Sequence, residues 1–362
     1  MIDFDFAKLR RIGLNQELIQ HIASLTSTSA VPANADDATQ LMRIVETQRD
    51  QFTLHDGDSQ HRARAATRLL HVLQAQATTL AVGDWVLVQQ HAPGDWWITT
   101  RIPPFTHIAR RANDGRRQSL ASNIDTALLA MGLDADFNPR RMERYIAMAG
   151  AAGVAPVVVL TKADIGTNVQ QRVAELRERL PANLPIIAVN GLDAQARVEL
   201  APWLGAGQTL VLLGSSGAGK STLTNTLTCE PLQDTGPVRR GDGRGQHTTT
   251  SRSLHLCSEG ACIIDTPGLR TWRPDADSEA LAATFDDIEM LAKACQFRDC
   301  RHQGEPGCNV AAHVAADRLL NFHKLMRDAA RSEQTPLDRI AERSKWKSLH
   351  KASAARLRNK RP

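Results

Sequence analysis

The chain has no apolar run approaching the ~20 residues that cross a bilayer as a helix, which argues against a membrane-spanning helical protein. Its first residues, MIDFDFAKLRR, are acidic early and have no apolar signal core. That argues against export and for a cytoplasmic protein. No internal repeat is visible, which sets repeat architectures aside. Nor do the six cysteines form a disulfide framework: Cys229, Cys257 and Cys262 are scattered, while Cys295, Cys300 and Cys308 are clustered. Clustering of this kind points to metal in a reducing cytosol. The last absence is of acid: from Arg343 to the end there are eight Lys/Arg and no Asp or Glu. Without those eight, 36 basic residues face 39 acidic ones, so the formal +5 of the chain is a property of its tail. A basic tail suits phosphate neutralisation on nucleic acid, although a merely solvated end has the same composition.

What is present is ordinary for a globular protein: 362 residues, 42% hydrophobic and 23% charged. The length allows roughly two or three domains. Residues 5–25 show apolar positions at helical spacing and predict one amphipathic helix, followed by the polar loop TSTSAVPANADD. From about Thr47 to Arg110 short alternating or apolar runs predict a small β-barrel or sheet. From Asn123 strands and helices alternate as far as about Trp272, which predicts an α/β domain with a mostly parallel sheet. The remainder reads as helical with one irregular loop.

Three motifs carry chemistry. Gly214-Ser215-Ser216-Gly217-Ala218-Gly219-Lys220-Ser221, followed by Thr222, fits a phosphate loop between the apolar strand QTLVLL and a helix. Such a loop turns backbone N–H groups toward phosphates at a helix N-terminus. Lys220 would reach the β- and γ-phosphates, and Ser221 would coordinate Mg²⁺; the alternative is a fortuitous Gly/Ser loop. Asp265-Thr266-Pro267-Gly268 ends the apolar strand ACIID, 51 residues after Gly214. Asp265 there would support Mg²⁺ and the Gly268 amide would sense the γ-phosphate, although DTPG alone also describes a simple turn. Thr161-Lys162-Ala163-Asp164 ends VVVLTKAD. A carboxylate at Asp164 accepts from both guanine N1–H and N2–H, a pair that adenine does not offer. Alone, TKAD is equally a helix-leading turn. Between the phosphate loop and DTPG lies PVRRGDGRGQHTTTSRS, where Thr248, Thr249 or Thr250 would complete a Mg²⁺ shell. His247 there is either a water-positioning base or an exposed loop histidine. Further on, Cys295, Cys300, His302 and Cys308 place three thiolates and an imidazole within fourteen residues. That donor set fills a tetrahedral Zn²⁺ shell and implies one structural ion. His313 and His323 read as surface or packing residues.

The order TKAD, GSSGAGKST, GRGQHTTT, DTPG resembles that of the circularly permuted GTPases, because ordinary P-loop GTPases place the phosphate loop first. With the cysteine cluster, the chain resembles the ribosome small-subunit-dependent GTPase family, RsgA/YjeQ, over nearly its whole length. VGDWV resembles that family's OB-fold signature, SNIDTALLAMGLDADFNPRRMERYIAMA its lead-in to the GTPase domain, and CRHQGEPGC its zinc motif. The resemblance implies a GTPase using Mg²⁺, stimulated by the small ribosomal subunit and acting late in that subunit's maturation. It implies a catalytic role for His247, since Leu269 stands where many GTPases carry a glutamine. Thr161 replaces the usual Asn, and AVNG around Asn190 departs from the usual base-backing loop.

The expected architecture is α/β: a permuted P-loop GTPase domain flanked by an N-terminal OB-like barrel and a C-terminal helical zinc-binding domain. The expected segments are a helical extension and linker (1–46), an OB-like RNA-binding domain (47–112), the GTPase domain (113–274), a zinc-binding helical domain (275–342) and a basic tail (343–362). Trp85, Trp96 and Trp97 are either base-stacking residues or core. Arg110, Arg111, Arg116 and Arg117 are candidate rRNA contacts, as are Lys345, Lys347, Lys351, Arg356, Arg358, Lys360 and Arg361 in the tail. A soluble monomer working on GTP/GDP and the small subunit is expected. Two other readings stay open on residues alone: an RNA-binding assembly factor that uses nucleotide as a switch with negligible turnover, and a P-loop ATPase or kinase in which TKAD is coincidental.

Overall fold

The structure is a computed structural model that describes residues 4–27, 39–48, 51–111, 117–228, 252–265 and 284–333. It divides into two compact units, Met1–Pro274 and Asp275–Pro362.

The first unit opens with two helices where the sequence pattern predicts one. Helix α1 (Phe6–Arg10) is capped by Asp5, and α2 (Gln16–Ser27) starts after Asn15 accepts from the Leu18 N–H at 2.8 Å. The break falls at Gly13, whose φ of +91° suits glycine and whose missing Cβ leaves room for Arg43 Nη1. Strands β1 (Thr39–Gln48), β2 (Gln51–His55), β3 (Gln60–Ala65), β4 (Trp85–Ala92) and β5 (Asp95–Arg101) close into a barrel in the order β1-β2-β3-β5-β4, with β4 returning to β1. Strand β1 starts well ahead of Thr47, and its sequence hides this. Residues 41–45 are all buried, with Met42 and Ile44 inside the barrel and Leu41 and Val45 covered from outside, so no alternation shows. Helix α3 (Thr67–Ala75), absent from the sequence reading, closes the barrel with Leu69 and Leu73.

Trp85 and Trp96 are core residues, 0% and 7% exposed. Trp97 is half-buried on the outer face, stacked on His91 with its ring N–H donated to Asp95. A two-stranded hairpin follows, β6 (His107–Arg111) with β7 (Arg117–Ser122). Arg110, Arg111 and Arg117 lie on it, but their side chains, like Arg116, are outside the described residues.

The α/β part contains β8 (Thr126–Gly132), α4 (Pro139–Ala151), β9 (Ala155–Thr161), α5 (Val169–Arg179), β10 (Ile186–Ala188), α6 (Gln195–Leu200), β11 (Thr209–Gly214), α7 (Lys220–Thr228), β12 (Arg252–Leu256) and β13 (Cys262–Asp265). The sheet order is β10-β9-β8-β11-β13-β12, parallel throughout except for β12. Every residue of β8 and β11 is buried, the signature of parallel strands covered on both faces. Leu129, Val158, Leu160, Val211 and Leu213 pack into one face with α4, and Leu128, Val157, Val159, Leu210 and Leu212 into the other with α6 and α7.

Barrel and sheet are joined rather than strung on a linker. Strand β12 pairs with β1 through Glu46↔Ser253 and Thr47↔Arg252. Arg43, wholly buried, donates to Ile12 O, Thr209 Oγ1 (2.9 Å), Asn123 O (3.0 Å) and Gly83 O. The two motifs VGDWV and SNID also meet. Asp84 accepts from Ser122 Oγ at 2.5 Å and from Arg101 at 2.9 Å, and Asn123 donates to Gly83 O.

In the second unit, α8 (Asp286–Ala292), α9 (Asn309–His313) and α10 (Ala316–Glu333) surround the irregular loop. Arg318 pairs with both carboxylate oxygens of Asp287 and lies over the Phe285 ring. No helix among the described residues is long and apolar enough to cross a membrane.

Candidate nucleotide site and metal centre

The parallel strands β8, β9, β11 and β13 end at one edge of the sheet, where open α/β sheets bind ligands. Strand β11 delivers the phosphate loop. Gly214 is buried, and a Cβ there would stand 2.4 Å from Ala130 O on β8, so only glycine lets the loop begin this close to its neighbour. Gly217 and Gly219 adopt φ of +83° and +81°, the left-handed turns that wrap the loop. Lys220 Nζ arches back to the carbonyls of Gly214 (3.1 Å) and Ser215 (2.7 Å). Ser216 is half-buried and Ala218 buried, and Ser221 and Thr222, in the first turn of α7, are half-buried. Asp265, 5% exposed, ends β13 in register with Leu212 of the phosphate-loop strand.

The turn Thr161-Lys162-Ala163-Asp164 ends β9, two strands away. Thr161 is 1% exposed, and its hydroxyl donates to Ala218 O of the phosphate loop at 2.7 Å. A Cβ on Gly219 would stand 3.1 Å from that hydroxyl, so the two motifs are in contact. Two motifs that run in reversed order along the chain thus form one site. Lys162 takes a left-handed φ of +61° and donates to Asp134 at 2.7 Å, while Ala163 N bonds Val189 O of the neighbouring segment. Asp164 is exposed at the tip. The AVNG segment lies beside this turn, with Asn190 capping Leu192 N and Gly191 O accepting from Thr226 of α7.

Sequence reasoning missed Asp134 and Asp136, on the loop after β8. Asp136 accepts from Ser215 Oγ of the phosphate loop at 2.6 Å and is paired with Arg141. Burial works against ionisation of Asp134, but the bonds from Lys162 and from the Asp136 N–H outweigh it and hold the carboxyl below its ordinary range. The available signal was two acids directly after an apolar strand run, in GLDADFNP.

His247, Thr248, Thr249, Thr250, Thr266, Pro267, Gly268 and Leu269 lie outside the described residues, as does the tail from Arg343.

In the second unit the ligand atoms of Cys295, Cys300, His302 and Cys308 all lie within 4.8 Å of one another. A tetrahedral shell with metal–sulfur bonds of ~2.3 Å has donors about 3.8 Å apart, so the four fit one ion. His302 turns its Nδ1 to Cys308 Sγ (3.4 Å) and Cys295 Sγ (3.7 Å), helped by a left-handed φ of +59°. Cys308 Sγ caps α9 by accepting from Ala311 N at 3.3 Å. Backbone N–H groups of Val310 and Asn309 hold the Cys295 thiol below its usual value. His313 bonds Asn309 O and His323 bonds His302 O, so neither belongs to the cluster.

The phosphate loop, the Thr161–Asp164 turn seated against it and the reversed order of the two along the chain define a circularly permuted P-loop GTPase. The comparisons agree. The family model of the RsgA GTPase matches residues 102–274. A small ribosomal subunit biogenesis GTPase RsgA of Xanthomonas oryzae pv. oryzae (strain MAFF 311018) is 44% identical over 282 residues, 76% of each chain. That of Xanthomonas axonopodis pv. citri (strain 306) is as similar over the same shares. The chain is also similar in fold to YjeQ from Thermotoga maritima, with TM-score 0.59 and 21% identity over 81% of this chain and 99% of that one. YloQ, described as a circularly permuted GTPase, gives TM-score 0.57 and 17% identity over 83% and 99%. The chain belongs to the RsgA GTPase family.

Proposed function

We propose that the protein binds GTP with Mg²⁺, hydrolyses it to GDP and phosphate, and acts on the small ribosomal subunit late in its maturation, as a monomer in the cytoplasm. The observation that carries this reading is the Thr161–Ala218 hydrogen bond, which seats a base-reading turn against a phosphate loop. The names of the relatives, small ribosomal subunit biogenesis GTPases, support the choice of partner.

In this reading the N–H groups of residues 214–222 surround the phosphates, and Lys220 exchanges loop carbonyls for β- and γ-oxygens. Asp164 accepts from guanine N1–H and N2–H; Thr161 spends its hydroxyl on the loop, so the choice of base falls to Asp164. Ser221 and Asp265 would hold Mg²⁺ with Thr248 or Thr249, and the buried carboxylate of Asp265 on the strand next to the phosphate loop suits that use. Bound Mg²⁺ supplies charge neutralisation at the phosphates. His247 orients or deprotonates the attacking water. Cys295, Cys300, His302 and Cys308 hold one structural Zn²⁺, for which three thiolates and an imidazole with no open position are suited. The OB-like barrel, the arginine hairpin and the tail beyond residue 342 contact rRNA. The functional divisions we assign are those read from sequence (1–46, 47–112, 113–274, 275–342 and 343–362), with residues 39–46 moved to the barrel because β1 begins at Thr39.

The test is phosphate release from GTP, titrated with purified small subunits. Stimulation that disappears in His247→Ala is the expected result. Turnover that ignores the subunit would overturn the partner, and hydrolysis of ATP as fast as GTP would overturn the nucleotide.

A further inference from the structure

The sheet order β9-β8-β11 puts the end of β8 between the strand that delivers the base turn and the strand that delivers the phosphate loop. Residues 133–138, which follow β8, therefore border both halves of the site. They carry one carboxylate toward each. Asp134 Oδ2 accepts from Lys162 Nζ at 2.7 Å, on the base side. Asp136 accepts from Ser215 Oγ, at 2.6 and 2.7 Å from its two oxygens, on the phosphate side.

Both acids are braced. Arg141 holds Asp136 through Oδ1 and through its backbone carbonyl, and Gly132 N reaches Oδ2 at 3.2 Å. Asp136 N in turn bonds Asp134 Oδ1 at 3.0 Å, so the two acids share one local turn. The loop is tied to β9 as well, through Leu133 N to Thr161 O at 2.9 Å.

Electrostatics makes the placement informative. A bare carboxylate beside a polyphosphate site is repulsive, and a surface-neutral side chain would serve packing as well. Asp136 is instead neutralised by Arg141 and spends its acceptor on the first hydroxyl of the phosphate loop. On the other side Lys162 sits at a positive φ that costs a non-glycine residue strain and persists only where neighbours fix it. Asp134 and the Gly166 N–H to Lys162 O bond (2.9 Å) are such neighbours.

We propose that residues 133–138 form a two-ended clasp in which Asp134 and Asp136 are positioning residues, Asp134 for the base-reading turn through Lys162 and Asp136 for the phosphate loop through Ser215. The clasp rests on the guanine-nucleotide reading above. It gives the two acids different jobs. Asp134 preorganises contacts that every guanine nucleotide makes, whereas Asp136 preorganises the loop whose contacts grow with the number of phosphates.

The experiment uses the full chain with Mg²⁺, titrating a fluorescent GDP and competing it with GMP and ADP. Binding of GDP by the parent, with ADP failing to compete, keeps the guanine reading; failure of the parent to bind GDP overturns that reading first. Given parent binding, Asp134→Ala is expected to weaken GDP and GMP by the same factor, about fivefold, the size of one charge-assisted hydrogen bond partly repaid by solvent. Asp136→Ala is expected to weaken GDP about fivefold more than GMP, Asp136→Asn to recover most of the loss by keeping an acceptor, and Ser215→Ala to match Asp136→Ala. The double variant of Asp136→Ala with Ser215→Ala should be no weaker than either single, because the two substitutions break the same bond. Equal losses for GDP and GMP in Asp136→Ala, additive effects of Asp136→Ala and Ser215→Ala, or no loss at either acid would overturn the clasp. If Asp136→Ala does not fold, Ser215→Ala alone carries the same GDP-against-GMP split.

Discussion

Replacing Thr161 by Val isolates the bond that makes two distant motifs one site. Valine keeps the shape of the side chain, so a residue 1% exposed against Gly219 leaves no cavity. What is lost is one hydroxyl donating at 2.7 Å to Ala218 O. A neutral hydrogen bond contributes about 0.5–1.5 kcal/mol net, and leaving a buried carbonyl short of its donor costs about 1–3 kcal/mol. The expected loss is therefore about 1–2 kcal/mol. Because the bond spans the phosphate loop and the base turn, most of it should appear in nucleotide affinity, as about a 5- to 30-fold rise in Kd for GDP and GTP alike. Titration of fluorescent GDP gives the affinity, and a urea midpoint reports the fold. A variant that binds GDP within twofold of the parent with an unchanged midpoint would refute the reasoning, since the loop would then be held by something other than Thr161.

Arg43→Met strips four acceptors of their donor and releases a buried charge; the expected cost is about 2–5 kcal/mol, read from denaturant unfolding. An unchanged midpoint would contradict the joint between barrel and sheet. The β2–β3 turn should make the protein acid-sensitive in two steps. Burial holds His55 below its ordinary value, so the unfolded chain takes up that proton first and stability falls as pH drops below ~6.5. Although burial opposes it, bonds from the Ser59 and Asp58 N–H groups and from His61 hold Asp56 below the carboxylate range, so its stabilisation, complete above ~3.9, is lost at lower pH. Asp56→Asn should remove the second step and, because the Asp56 charge works against the burial of His55, deepen the first in a pH series of unfolding midpoints. Removing the metal with a chelator, or substituting Cys308→Ala, should cost one equivalent of bound Zn²⁺ and the helical signal of 284–333. Full helicity without metal would argue against a structural ion.

Motifs whose chemistry demands local spacing were legible in the sequence: the phosphate loop, TKAD, and the cluster from Cys295 to Cys308. So was the parallel sheet, because strands covered on both faces, such as TLVLLG, read as continuous apolar runs. The same rule concealed β1, where LMRIV is covered inside and out and begins before any alternation appears. Gly13 splits the N-terminal helix for a reason no periodicity carries: the space it leaves is filled by Arg43, thirty residues on. Asp134, Asp136 and Arg43 were invisible for a shared reason. Their partners are set by strand order, which places Ser215 79 residues from Asp136 and Thr209 166 residues from Arg43. Thr161 stands where the usual residue is asparagine, and in the fold its hydroxyl has a defined partner in Ala218 O.

The central claim is that a turn lying ahead of the phosphate loop in the chain chooses guanine through Asp164, and Asp164→Asn tests it most directly. Asparagine accepts from N1–H but turns an N–H donor toward position 2, where guanine offers a donor and xanthine a carbonyl. Competition of GDP, XDP and ADP for the nucleotide site should show GDP preferred by the parent and XDP by the variant, an inversion of about 10⁴-fold in ratio at the upper end for such polar discrimination. A variant that still prefers GDP, or a parent that binds ADP as well as GDP, would contradict the account.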